Sequence, residues 1–371
     1  MICKISSTVK ETSEQDLRRF PRFLIPLTLL GIAVLMLIVV GCRDPEGNRL
    51  YALHLAKAPT AADWERALPH PIIVRGGRVH KIDVFPDIDK DTVHTSTPSC
   101  HHGGAIPRPL TVDVRAFYTD SDLYLRLRWR DLTRDDAMQQ WRFDGSRWTS
   151  NGLKEDGFGL MWQPPTDQRP FSCTLACHIE DFGVAGATFH ATNKMKLEKA
   201  GPWLDLWNWK ADRTGRLGFA DDRWLDQKGM HGDLPGDLMR PNSRLASGQT
   251  ETVGLFGDKD APVYDGQGRI IGKEFRPAGS LAPGWMVERP IGHRADVRAT
   301  AFWKNDHWTV ILRRPLVTGD PHDVEFSPAL TDGIAFGLSV MDNTLDEHYA
   351  SRGSEWLILL PPSAAEAGNP E

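Results

Sequence analysis

Thr111-Val112-Asp113-Val114-Arg115-Ala116-Phe117-Tyr118, then Thr119-Asp120-Ser121-Asp122, then Leu123-Tyr124-Leu125-Arg126-Leu127-Arg128-Trp129-Arg130 is the stretch that sets the fold class. Val112, Val114, Ala116 and Tyr118 alternate with polar or charged residues, and Leu123, Leu125, Leu127 and Trp129 repeat the period. Alternate side chains of a strand point to opposite faces, so two such runs around a polar four-residue turn predict a β-hairpin with one buried face.

The same signal recurs on both sides. Phe158–Trp162 reads as a strand. Ala299, Ala301 and Trp303 alternate, then Trp308, Val310 and Leu312, with Asn305-Asp306 as the turn between them. Gly333–Met341 and Trp356–Leu360 are continuous apolar runs of the kind central strands carry. Helical periodicity is nearly absent, and the 26 prolines and 33 glycines imply many turns. Together these predict an all-β, antiparallel two-sheet β-sandwich. A long, loop-rich excursion from Phe171 to about Arg294 interrupts it, because Lys228–Pro290 is rich in Gly, Pro, Asp and Asn with little periodicity.

The N-terminus reads as an export and anchoring device. Arg18, Arg19 and Arg22 precede an apolar run, Phe23–Val40, which ends in Val39-Val40-Gly41-Cys42. This is the order of a signal with a lipobox, Cys42 being the lipidated residue. The competing reading is an uncleaved single-span anchor, since the run approaches the roughly 20 residues a spanning helix needs. Either way residues 1–42 are signal or anchor. Residues 43–365 are then an exported sandwich on the periplasmic side of the membrane, since the arginines precede the apolar run.

Within the excursion, Cys173-Thr174-Leu175-Ala176-Cys177-His178 has the order of a covalent haem site. Two thiols add across the vinyl groups, and the next imidazole becomes the proximal iron ligand. The usual spacing has two residues between the cysteines; here there are three. The alternatives are a Cys173–Cys177 or Cys100 disulfide, which an oxidising compartment permits, and a metal site, for which no second Cys/His pair supplies ligands. Cys100-His101-His102-Gly103-Gly104 is a second thiol-imidazole group, equally readable as a surface loop, and His190 is a lone histidine near the motif. Trp203, Trp207 and Trp209 could pack on a porphyrin or anchor loops to the sandwich. Glu155-Asp156 and Asp221-Asp222 read as turn and capping residues, since no nucleophile or base surrounds them. A net charge of −5 without a basic run past the signal argues against nucleic acid.

Asp205-Leu206-Trp207-Asn208-Trp209-Lys210-Ala211-Asp212-Arg213, followed by Gly218-Phe219-Ala220-Asp221-Asp222, resembles the haem-binding domain of ethylbenzene dehydrogenase-related cytochromes. These are relatives of the γ subunits of molybdenum enzymes in the dimethyl sulfoxide reductase group. Ala61–Ala67, Leu123–Asp131, Glu155-Asp156-Gly157, Arg314-Pro315-Leu316, Gly333–Asn343 and Asp346-Glu347-His348 are similar to further family segments, in the family's order. The resemblance implies a sandwich of the DOMON or carbohydrate-binding-module kind holding one haem, with Trp207 and Lys210 among the cofactor-binding residues. Family members with non-covalent haem b imply Met161 and His348 as iron ligands. Members with a Cys-x-x-x-Cys-His imply c-type haem on Cys173, Cys177 and His178. The c-type reading is favoured here, with His348 preferred over Met161 or Met195 as distal ligand.

The implied function is electron transfer between a respiratory-chain donor and a periplasmic oxidoreductase. The redox partners would be a molybdenum enzyme or a quinol-linked cytochrome. The rivals are a carbohydrate-binding sandwich module without haem and a terminal oxidoreductase with haem as its catalytic centre.

Overall fold

The computed structural model describes residues 47–75, 108–167, 197, 200–234, 236, 238–245, 252–254, 262–272, 276–343, 349–351 and 353–362. Thirteen strands form its principal sheet. They are β1 (Arg49–His54), β2 (His70–Arg75), β3 (Leu110–Tyr118), β4 (Asp122–Arg130), β5 (Gly157–Trp162), β6 (Leu204–Lys210) and β7 (Asp221–Asp226), followed by β8 (Gly229–Gly232), β9 (Arg298–Trp303), β10 (His307–Pro315), β11 (Ile334–Met341), β12 (Tyr349–Ser351) and β13 (Glu355–Leu359).

The strand order is β8-β7-β6-β5-β11-β12-β2-β3-β4-β10-β9, with β13 beside β11 and β1 bridging β13 to β3. The sheet turns back on itself at β12 and β1. One half, β8 through β11, thereby faces the other, β2 through β9. Trp129 on β4 meets Phe158 on β5 and Trp209 on β6, with ring centroids 6.1 and 6.2 Å apart. On the opposite side the halves touch again: Ala299 N donates to Gly218 O and Ala220 N to Val297 O, both at 3.0 Å. The result is the expected β-sandwich. Its pairing is antiparallel except at β1, which runs parallel to both β13 and β3.

The opening hairpin forms as read, Val112 facing Trp129 and Tyr118 facing Leu123. Its inner residues enter the core, and its outer face is covered in part: Phe117 and Tyr124 pack with Trp64 and Ala67 of the short helix Ala61–Arg66 and its end. The second hairpin turns at Asn305 and Asp306, whose φ values of 53° and 55° suit the Asn-Asp pair.

One reading changes. Strands lie inside the range assigned to a loop-rich excursion: β6, β7 and β8 belong to the principal sheet, and β6 pairs with β5 along six residues, Gly157↔Lys210 to Trp162↔Asp205. Asp205, Trp207 and Trp209 point inward while Asn208 and Lys210 point outward. Polar residues on both faces hide the period of two, so β6 does not read as a strand. The later part of the range is decorated with short strands, such as Met239–Pro241 paired with Trp285–Val287.

Trp209 is fully buried, stacked on Phe158 and 5.3 Å from the Trp308 ring. Trp209→Ala is expected to cost about 3–5 kcal/mol of stability, read from urea unfolding. Phe302→Ala, at an exposed position, is expected to stay within about 0.5 kcal/mol.

Candidate cofactor site

Strand parity gives β5 two different faces. Phe158, Leu160 and Trp162 enter the main core, so Gly157, Gly159 and Met161 face the other way. Cross-strand register extends that outer face into rows. Gly337, Met161, Leu206 and Arg223 lie side by side across β11, β5, β6 and β7, and Ser339, Gly159, Asn208 and Asp221 form the next row.

This outer face is apolar and closed to water around Met161. Met161, Leu197, Leu204, Leu206, Leu225, Ala335 and Ala350 form one buried cluster, with Trp356 against it. Glycines relieve the surface beside the thioether: Gly337 is its cross-strand neighbour and Gly159 lies two residues before it. A side chain at Gly159 would begin 3.0 Å from Ser339 Oγ and 4.0 Å from Leu206 Cδ1. A cleft of about 460 Å³ opens at one end of the face, lined by Gln163, Pro164, Leu330, Gly333, Ala335 and Trp356, within the size range of small-molecule sites.

The other end of the face is cationic. Lys210 is half-buried and hydrogen-bonded to Asn208 Oδ1. Burial pushes its ammonium down to about 8, against the opposing pull of Asp221. Arg223 Nη1 donates to Asp221 Oδ2 at 3.2 Å, while its buried Nε has no hydrogen-bond partner. An orphaned guanidinium N–H beside an apolar thioether wall suits a flat, apolar group that carries carboxylates, and haem is such a group.

One candidate iron ligand belongs to this cluster, and two of its other residues stand near further candidates in sequence. Met161 is in it. Leu197, also in it, donates its amide to Asp226 O at 2.9 Å; with Asp167 it brackets the stretch holding Cys173, Cys177 and His178. Ala350 follows His348 by two residues. The positions of Cys42, Cys100, His101, His102, Cys173, Cys177, His178, His190, Met195 and His348 themselves lie outside the described residues.

Other expectations are corrected. Trp207 and Trp209 do not share the Met161 face. Trp207 is buried in the main core, its ring 5.1 Å from Trp162 and 5.9 Å from Phe326, and the two-residue repeat of β6 forces it inward. Asp221 and Asp222 are not turn residues but buried members of β7: Asp221 Oδ1 accepts from Arg294 Nε at 2.8 Å, and Asp222 faces Arg314. Glu155 and Asp156 do support turns. Glu155 Oε2 accepts from the amides of Asp212 and Arg213 at 2.8 and 2.9 Å. Asp156 accepts from Asp135 N, Asn343 N and Trp308 Nε1. The Lys210–Arg213 part of the tryptophan-lysine segment is therefore a braced turn following β6. Gly159, Gly337 and Arg223 were missed; the alternation of glycine with large residues in Gly157–Met161 was the available signal.

A family model described as Ethylbenzene dehydrogenase matches residues 83–351. The chain belongs to the ethylbenzene dehydrogenase family. It is thus an oxidoreductase-related protein. No curated protein matches it. Among solved structures, a Bacteroides uniformis protein described provisionally as carbohydrate-binding aligns at 8% identity, covering 84% of this chain and 90% of that one, with a TM-score of 0.28. A likeness that low carries no argument about this chain. Among the described residues no helix is long and apolar enough to cross a membrane; Phe23–Val40 lies outside them.

The depressed Lys210 ammonium has a signed consequence. Its folded value lies near 8 and its ordinary value near 10.5, so between them the unfolded chain binds more protons and stability rises with pH. Lys210→Met removes that term. Its urea midpoint relative to the native chain is expected to be most favourable below pH 8 and to lose ground steadily up to about pH 10.5.

Proposed function

We propose that this chain is a membrane-tethered, periplasmic electron-transfer protein that carries one haem against the outer face of β5, β6 and β11. What supports the proposal is the buried apolar Met161 cluster with Arg223 and Lys210 on the same sheet face, in a chain of the ethylbenzene dehydrogenase family. The chemistry such a group supplies when bound is one-electron exchange at iron.

The chain's own residues have distinct parts in this reading. Cys173 and Cys177 would tether the group through thioether bonds to its vinyl carbons, and His178 and His348 would ligate its iron. Met161, Leu206 and Ala335 would exclude water from the wall. Arg223 and Lys210 offset the charge of the haem carboxylates. An apolar wall and axial-ligand identity set the potential of such a site. Cys42, or the Phe23–Val40 segment, holds the domain at the membrane. There it exchanges electrons with a quinol-linked donor and a periplasmic oxidoreductase, such as a molybdenum enzyme.

A second reading, a carbohydrate-binding module, rests on a different cleft. About 660 Å³ in volume, it is lined by Gln139, Trp141, Arg147, Trp148 and Trp285, an aromatic set able to stack on sugar rings.

The deciding experiment is a haem-stained denaturing gel with a pyridine haemochrome spectrum, on protein exported alongside cytochrome c maturation machinery. Stain that survives denaturation and vanishes in Cys173→Ala/Cys177→Ala is the expected result. Haem released on denaturation would replace the covalent site with a b-type one at Met161 and His348. Haem absent from both forms would overturn the proposal in favour of the binding module.

A further inference from the structure

On the inner side of β6 and β7, away from the Met161 face, buried charge is left unbalanced. Asp205 on β6, Asp222 on β7, Asp233 just after β8 and Asp323 in the loop beyond β10 gather around Arg314. The side chains of Asp205, Asp222 and Arg314 have no exposed surface. Arg314 Nη2 lies 2.8 Å from Asp323 Oδ2 and 3.5 Å from Asp205 Oδ2, and its Nε lies 3.8 Å from Asp222 Oδ2. Its Nη1 donates to Val324 O at 2.8 Å, and the rings of Trp207 and Phe326 flank the guanidinium at 5.2 and 5.4 Å. Four carboxylates thus face one guanidinium.

Hydrogen bonds do not make up the difference. Asp205 Oδ2 accepts from Val324 N at 3.0 Å, and Asp323 Oδ2 accepts from Thr318 Oγ1. Both oxygens of Asp222 and both of Asp233 are buried without a hydrogen-bond partner, as are Asp205 Oδ1 and Asp323 Oδ1. An ionised carboxylate can only accept, and burying one unpaired costs several kcal/mol. Asp222 is the sharpest case, a fully buried side chain aimed into the cluster with only the distant Arg314 Nε near it.

Two things relieve such a cluster: protons or a cation. Burial, with repulsion from neighbouring carboxylates, disfavours the charged forms of Asp205, Asp222 and Asp233. A cation satisfies several oxygens at once, and the spacing fits. One oxygen each from Asp205, Asp222 and Asp323 lie within 4.8 Å of one another, and so do one each from Asp233, Asp320 and Asp323. Two oxygens sharing a calcium ion at about 2.4 Å stand at most about 4.8 Å apart.

We propose that Asp205, Asp222 and Asp323 bind a divalent cation of the calcium class, with Arg314 as the fixed positive charge closing the site toward the core. The donors are all carboxylate oxygens, which favours a hard ion over zinc or copper. Their arrangement on two strands and one loop suits calcium's tolerant geometry better than the strict octahedron of magnesium. Bound there, the ion ties β6 and β7 to the loop after β10. The inference is independent of the haem proposal and involves none of its residues.

The test is calorimetric titration of Ca²⁺ into chelator-treated full-length protein, with melting followed by circular dichroism. Expected are one saturable site, a higher Tm with Ca²⁺ than with chelator, and at least tenfold weaker binding in Asp222→Asn and in Asp323→Asn. Asp323→Asn, in a loop, serves as the second variant should Asp222→Asn fail to fold. No saturable binding and equal Tm in chelator and Ca²⁺ would overturn the site and leave the carboxyls protonated. Binding unaffected by Asp323→Asn would equally overturn it, placing the ion elsewhere.

Discussion

Trp207 and Trp209 both pointing inward from β6 is the constraint on which the rest of this structure depends. Their rings form an aromatic seam between the halves of the sandwich in two groups, Trp207 with Trp162, and Trp209 with Trp129, Phe158 and Trp308. Strand side chains alternate, so seating the tryptophans fixes every other residue of β6 and, through register, of β5 and β7. A slip of one residue would drive Lys210 into the core and turn the tryptophans out. With the seam in place, Met161, Leu206 and Arg223 share the opposite face, and a second apolar surface appears where the sandwich core has already been filled. One sheet half thereby carries two buried apolar faces: its inner face fills the sandwich core, and its outer face holds the Met161 cluster.

Legibility followed the strength of the alternation. The hairpin of Leu110–Arg130 and that of Arg298–Pro315 are readable because one face of each is almost wholly apolar. β6 is not, because Asp205 sits on its inner face, and its acceptability there depends on Arg314, more than a hundred residues later. Asp221 and Asp222 are likewise uninterpretable from their neighbours; their partners Arg294 and Arg314 come from distant loops and strands. Buried charges paired across long sequence separations carry no local pattern. Met161 was legible only through its family resemblance, and the glycines beside it mattered only once register had set them side by side.

Charge is distributed unevenly over this molecule. Around the turn after β6 it is well compensated: Glu155 pairs with Arg213, and Asp221 is shared between Arg294 and Arg223. These contacts brace the chain as it leaves the sheet, and Arg213 also covers the Trp285 ring, its guanidinium carbon 4.6 Å from the centroid. On the Met161 face the balance is left positive at one end and neutral at the other. Removing one partner from a braced pair would strand a buried charge, which costs far more than the pair contributes net.

The claim that the outer face of β5, β6 and β11 is the cofactor wall is tested most directly by spectroelectrochemical titration of the haem in native protein, Met161→Leu and Leu160→Val. Met161 and Leu160 are adjacent in sequence and lie on opposite faces of β5. If the wall holds the haem, Met161→Leu alters both the absorption spectrum and the midpoint potential, while Leu160→Val leaves both unchanged. A Met161→Leu protein with the native spectrum and potential would contradict the assignment of this face.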